Sequence, residues 1–528
     1  MRQTSAGQLR YQFSIGAVSL ILATPLMAQT QGPLSVIDWL GTQSSPKETD
    51  PAAQGDPTRQ AVSKQQIDEP AVAKSARAPT VAVQPLTLGG AREIGLVPTR
   101  ITGLPLDLWQ GSEIAKLQDK ITKLPDLRLP AAQSLLYTVL LSDAQAPGNN
   151  PTAGDSLALV RAEKLMQRGA LDPALALIEQ AGVTTSQAHF DLWMQISLLT
   201  GTEDRACDRL ANAPHLTQNY STRIFCAARA RRWEDAALTL GTAKALGLLP
   251  EDQLALFERF LDPEGADGMA PLPVPRDMDP LTFRLFETIG EPVNTGNLPR
   301  AYAVADLRDL AGWKAQLEAA ERLTRAGALP DNRLLGLYSE RKAAASGGVW
   351  DRVIALQRFE TALESGSIEA VSKTLPSVWR MMRSVGLAVA FAELFAERLS
   401  QVALEGNAAR TAHEVLLLSP AYEAAAGQGN SADLTTQIAL GETKPGRPAD
   451  IIHGAIYDAF DGAAPRADLV AMVKQGRLGE SILEVLTLLH RGARGNDKAL
   501  RDALATLRAL GLEETARRAA LQILLLEH

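Results

Sequence analysis

From Ser112 almost to the end of the chain, large apolar residues recur at intervals of three and four, and no stretch alternates apolar with polar as a half-buried strand would. The pattern is sharpest near the C-terminus. Leu500, Ala503, Leu504, Leu507 and Leu510 form one stripe, and Ala516, Ala519, Ala520, Ile523 and Leu524 form another. Gly511 between them suits the left-handed position that ends a helix, so the two stripes are expected to face each other as a hairpin. Ser481–Leu489 (SILEVLTLL) is apolar nearly all round, the composition of a helix buried between neighbours. The expected fold class is all-α.

One turn pattern recurs. Gly169, Arg231, Gly366 and Gly476 are each followed two residues on by Leu171, Trp233, Ile368 or Leu478, and then by a small or apolar position at Ala174, Ala236, Val371 or Ser481. These joints resemble those of tetratricopeptide-like hairpins. Their spacings of 62, 135 and 110 residues are not multiples of 34, so the expectation is an α-solenoid of degenerate repeats rather than a regular array. Pro271, Pro273, Pro275 and Pro280 exclude helix and mark a connection, which places two helical lobes at 93–262 and 279–528 around a Pro-rich segment at 263–278. Smaller breaks fall at 144–155 and 441–450.

The N-terminal region reads differently. Arg2 and Arg10 precede an apolar run from Phe13 to Ala23, too short to span a bilayer, and Leu26-Met27-Ala28 offers a cleavage site. Residues 1–28 are therefore expected to be a signal peptide directing the chain to the periplasm, with an uncleaved inner-membrane anchor as the alternative. Residues 29–40 hold a short apolar motif, Val36, Ile37, Trp39 and Leu40, isolated from any core. It is a post-signal remnant, a segment that folds back onto the body, or a linear motif that inserts Ile37, Trp39 and Leu40 into a partner's groove. Residues 41–92 lack periodicity and are rich in Pro, Ala, Gln and Ser, the composition of a disordered linker.

Charge and composition narrow the chemistry. Removal of residues 1–28, whose only charges are Arg2 and Arg10, takes the net charge from −7 to −9, which opposes nucleic-acid binding. With aromatics at 5%, platforms for stacking bases or sugars are few. Cys207 and Cys226 are the only cysteines, and in an oxidising compartment they are expected to pair across a turn at Ala213-Pro214. His189, His215, His413, His453, His490 and His528 form no HExxH or other local ligand pair, so no metal site is expected. Ser339-Glu340-Arg341-Lys342 matches the S-x-x-K of penicillin-binding enzymes without their other motifs, and reads as an exposed helix face. Glu318, Glu321, Glu393 and Glu397 likewise fit solvated faces rather than a raised-pKa acid in a cleft. Trp109 is expected to cap the core of the first hairpin, while Trp379 and Arg380-Met381-Met382-Arg383 read as core packing or an adaptable contact surface.

The stretches Gly95–Glu113 (GLVPTRITGLPLDLWQGSE) and Leu507–Glu527 (LRALGLEETARRAALQILLLE) resemble the two ends of a group of secreted, all-helical proteins of alphaproteobacteria. The likeness includes the Cys207–Cys226 hairpin and spans most of 93–528. It implies a periplasmic location and helical repeats, and transfers no catalytic residue. The functional expectation is a scaffold or adaptor without catalysis or cofactor, binding periplasmic or envelope proteins and having no membrane span after signal cleavage. The alternative is a peptidoglycan-binding or lytic protein.

Overall fold

The structure, a computed structural model, describes residues 93–526 apart from 309, 428 and 431. The expected signal peptide, the Val36, Ile37, Trp39 and Leu40 motif and the linker at 41–92 lie outside the described residues. Every extended regular element that is described is helical, and the only β pairing consists of isolated bridges, Ile94 to Ala144 and Val97 to Ser142. Helices of seven residues or more run in the order α1 (Ile114–Lys123), α2 (Pro130–Leu141), α3 (Pro151–Arg168), α4 (Leu171–Ala181), α5 (Gln187–Thr200), α6 (Glu203–Asn212), α7 (Tyr220–Arg229), α8 (Trp233–Ala245), α9 (Glu251–Leu261), α10 (Pro280–Thr288) and α11 (Trp313–Thr324). They continue as α12 (Asp331–Ser339), α13 (Val349–Glu364), α14 (Ile368–Ser384), α15 (Ala388–Leu399), α16 (Gly406–Leu417), α17 (Leu434–Leu440), α18 (Ile451–Phe460), α19 (Ala467–Lys474), α20 (Leu478–Gly492), α21 (Asp497–Ala509) and α22 (Glu513–Leu526).

The four turns act as punctuation. Gly169, Arg231, Gly366 and Gly476 all have positive φ, and α4, α8, α14 and α20 begin two residues after them. A left-handed residue there ends one helix and redirects the chain. Ala174, Ala236, Val371 and Ser481 then sit fully buried against the preceding helix. Gly201, Gly386 and Gly511 do the same before α6, α15 and α22. Arg231 achieves this without being glycine, at φ 60°.

Most helices pack on their neighbours in sequence, but the chain also closes on itself. Helix α2 is buried on nearly every side and receives α20 and α22 from the far end, while α1 also meets α20. Trp109, fully buried, lies across the start of α20. A Cβ at Gly479 would come within 2.3 Å of its indole ring. The backbone seals the same join, with Gly111 N donating to Gly476 O and Gly479 N to Leu108 O, both at 2.9 Å. Trp109 thus ties the entry segment to α20, within the same buried cluster as Leu117 and Ile121 of α1.

Three cations on α3 hold the entry segment in place. Arg161, Lys164 and Arg168 share one face at intervals of three and four, and all are buried. Arg161 donates to the carbonyls of Leu140, Ile94 and Ser142 at 2.6–2.9 Å, two of them at the C-terminal end of α2. Lys164 reaches the carbonyls of Thr122 and Leu124 at the end of α1. Arg168 meets Asp126 and the carbonyl of Ala326, just beyond α11. Each cation therefore satisfies carbonyls left open where a helix ends, at the negative pole of its dipole. Burial pulls the Arg161 guanidinium down to about 10 and the Lys164 amine to about 8. Burial works against the charge of Asp126 too, but Arg300 and Arg168 beside it hold its carboxyl below the usual range.

The buried apolar residues fall into two clusters. One runs from Ile94 to Ala305 and is rejoined by Leu417–Leu524, and the other spans Ala303–Leu418. The Pro-rich segment does not divide them. Phe260 and Leu281 belong to the same cluster on either side of it, and Pro280 opens α10 with Asp279 as its cap. Closure of the C-terminal helices onto α2, distant in sequence, places the division elsewhere.

Candidate functional site

Cys207 on α6 and Cys226 on α7 are bonded, with Cα atoms 4.9 Å apart and the turn at Pro214–Leu216 between the helices. Beside them Glu203, 1% exposed, accepts from Arg284 of α10 at 3.0 and 3.1 Å and lies 3.7 Å from Arg229 of α7. The disulfide and this buried carboxylate lock α6, α7 and α10 together and make a rigid frame.

A groove of about 760 Å³, counting its open mouth, opens on that frame. Its rim is where three helices begin. Asn219 caps α7 by accepting from Thr222 N at 3.2 Å, Pro250 precedes α9, and Asp279 caps α10 by accepting from Leu281 N and Thr282 N at 2.9 and 3.0 Å. Ser221 closes one side by donating to Gln253 at 3.2 Å. The floor is apolar, formed by Leu249, Leu256, Phe257, Leu281 and Leu285, and the exposed Leu248 stands at its edge. Below it Phe260 stacks on Phe225 and meets the edge of Phe257, so the floor has little room to collapse. An apolar anchor seated there would find polar caps around it, the arrangement of a peptide-binding pocket.

Exposed apolar side chains concentrate on α8 and in the turn that follows it. Trp233, Leu238, Leu246 and Leu248 are 44–72% exposed within sixteen residues of chain. Helix α8 buries only Ala236, Leu240 and Ala243.

A second cleft lies where α2, α11, α15 and α22 converge. Several of its polar groups join those segments. Gln133 donates to the carbonyls of Leu127 and Arg325, Tyr137 to that of Ala326, and Gln522 accepts from Ala131 N. Glu393 pairs there with Arg518, and burial, outweighing that arginine, raises its carboxyl.

The carboxylates singled out from the sequence separate. Glu318 and Glu397 face solvent, while Glu321 does not. It is 4% exposed, bound by Arg352 through both oxygens at 2.6 and 2.7 Å, and accepts from Tyr338 Oη at 2.5 Å. Burial, reinforced by Glu321, raises the Tyr338 phenol. The periodic pattern around Glu321 concealed this, because Tyr338 and Arg352 arrive from α12 and α13. Trp379 and Met382 are core residues, and Trp379 Nε1 donates to Glu414 at 3.1 Å. Ser339 ends α12 and donates to Glu360, so the S-x-x-K stretch is an exposed helix end rather than a helix face. Among the described residues no three His, Cys, Asp or Glu side chains group as metal ligands, and no helix is long and apolar enough to cross a membrane. No family model matches the chain, and neither a curated protein nor a solved structure is found to be similar to it.

Proposed function

We propose that this chain is a periplasmic adaptor, an α-solenoid of degenerate helical hairpins that holds protein partners of a cell-envelope assembly and performs no chemistry of its own. The observation that carries this reading is the apolar-floored groove on the disulfide-locked frame, with Leu248 at its edge. A groove of this kind suits a partner segment that offers one or two large apolar anchors. Helices that pack mainly on their sequence neighbours, joined by repeated left-handed turns, support the hairpin part of this reading, with α20 and α22 closing the array onto α2. Likeness of the two chain ends to secreted all-helical proteins supports the compartment, as does the bonded cysteine pair.

In this reading the Val36, Ile37, Trp39 and Leu40 motif engages a second component. With the motif and the groove each engaging a component, one molecule would bridge two partners. The test is a photoreactive amino acid at Gln253, on the groove rim, irradiated in living cells. A discrete adduct with an envelope protein, lost when Leu248→Asp is added, is the expected result. A chain that forms no adduct, or the same adducts with Leu248→Asp, overturns the assignment of the groove.

A further inference from the structure

The outer face of α8 carries a feature that its own chain does not explain. Gly241 sits in the interior of this thirteen-residue helix, where glycine destabilises relative to alanine. Its φ is not in the left-handed region, and a Cβ added there would meet nothing within 4 Å. Neither a turn nor packing within the chain calls for it. A helix glycine of this kind leaves room for something outside to approach closely.

What surrounds it is exposed, with an apolar centre at Leu238 and Ala245. Opposite the buried Ala236, Leu240 and Ala243, the helix presents Leu238, Gly241, Thr242 and Ala245, with Leu238 72% exposed. Glu234 lies toward the N-terminal end of this face, and Lys244 reaches its C-terminal end from the same flank. Among the described residues Lys244 pairs with Glu258, more than half exposed on both sides, a pair that is readily exchanged.

We propose that α8 joins two copies of this chain, antiparallel across a two-fold axis, with Leu238 of each copy seated over Gly241 of the other. The charges argue for a second copy rather than an unrelated helix. In an antiparallel pair each residue meets the one equidistant from the axis. The midpoint of Leu238 and Gly241 falls between residues 239 and 240, and that of Glu234 and Lys244 falls at 239. The two midpoints differ by half a residue. With the axis set by Leu238 and Gly241, each Lys244 falls one residue, about 1.5 Å along the helix, from the point opposite Glu234, within reach of its long side chain. A single two-fold axis therefore seats both knobs in both holes and sets each Glu234 near the other copy's Lys244. None of the residues that line the groove belongs to α8, so the proposal stands apart from the adaptor reading.

The experiment is sedimentation velocity of the purified protein between about 1 and 100 µM, the range for a small, reversible interface. The wild-type protein is expected to dimerise across this range. Gly241→Leu fills the hole and Glu234→Lys and Lys244→Glu each set like charges together, so each variant alone is expected to weaken association at least tenfold with helicity unchanged. Mixing Glu234→Lys with Lys244→Glu restores both charge pairs and is expected to restore the dimer. A wild-type protein that stays monomeric, a Gly241→Leu protein that dimerises as well as wild type, or a charge-reversed mixture that fails to associate overturns the proposal.

Discussion

Replacing Arg161 with methionine tests how the chain's entry segment is held. The variant keeps the apolar stem but removes the guanidinium that bonds the carbonyls of Ile94, Leu140 and Ser142. A buried acceptor left without a donor costs about 1–3 kcal/mol, so the three together set a ceiling near ~9 kcal/mol. Methionine also relieves the burial of a charge, which returns several kcal/mol, and breaking buried charge networks typically costs about 3–5 kcal/mol net. The expected loss is in that range. Arg161→Lys keeps a charge but has a shorter, non-planar head, and is expected to fall between the two. The assay is urea unfolding followed by circular dichroism, together with hydrogen exchange at the amides of Leu96, Val97 and Asp143. Those amides form the bonds beside the bridges to α2, so they report the entry segment itself. An Arg161→Met protein within about 1 kcal/mol of wild type, with unchanged protection at these amides, would refute the reasoning.

Gly479→Ala drives a methyl group into the Trp109 indole and is expected to cost about 1–3 kcal/mol, with a changed Trp109 environment seen by fluorescence. Arg231→Gly removes a left-handed arginine and is expected to raise stability by about 1 kcal/mol, read as a shift of the urea midpoint. Cys207→Ser with Cys226→Ser opens a loop of 19 residues and is expected to cost about 3 kcal/mol, with exchange rising in α6 and α7. Lys164, pulled down to about 8 in the folded chain, binds fewer protons folded than unfolded between there and its ordinary 10.5, so its contribution to stability rises with pH across that window. The stability difference between wild type and Lys164→Met should therefore move in favour of wild type from pH 7.5 to pH 9.5, and a constant difference would contradict the assignment.

Local signals in the chain were legible where one residue decides the outcome. The starts of α4, α8, α14 and α20 follow from left-handed turn residues, the final hairpin from its two stripes and Gly511, and the cysteine pair from its isolation. What escaped depends on partners far apart in sequence. Arg161, Lys164 and Arg168 look like a solvated stripe until the ends of α1, α2 and α11 are brought to them. The one available sign was Leu157, which shares their helix face and is itself buried. Glu321 needed Tyr338 and Arg352, and Trp109 needed Gly479, some 370 residues away. The groove was invisible for the same reason, since its rim joins three helix starts spread over about sixty residues and its floor is read from packing.

The most direct test of the adaptor account is in-cell cross-linking followed by affinity capture, run in parallel on the wild-type chain, on a chain lacking residues 33–40, and on Leu248→Asp. The account predicts two distinct envelope partners, one lost with the deletion and the other with the groove substitution, while the helical body of each variant melts as wild type does. Identical captures from all three chains, or peptidoglycan fragments alone, would contradict it.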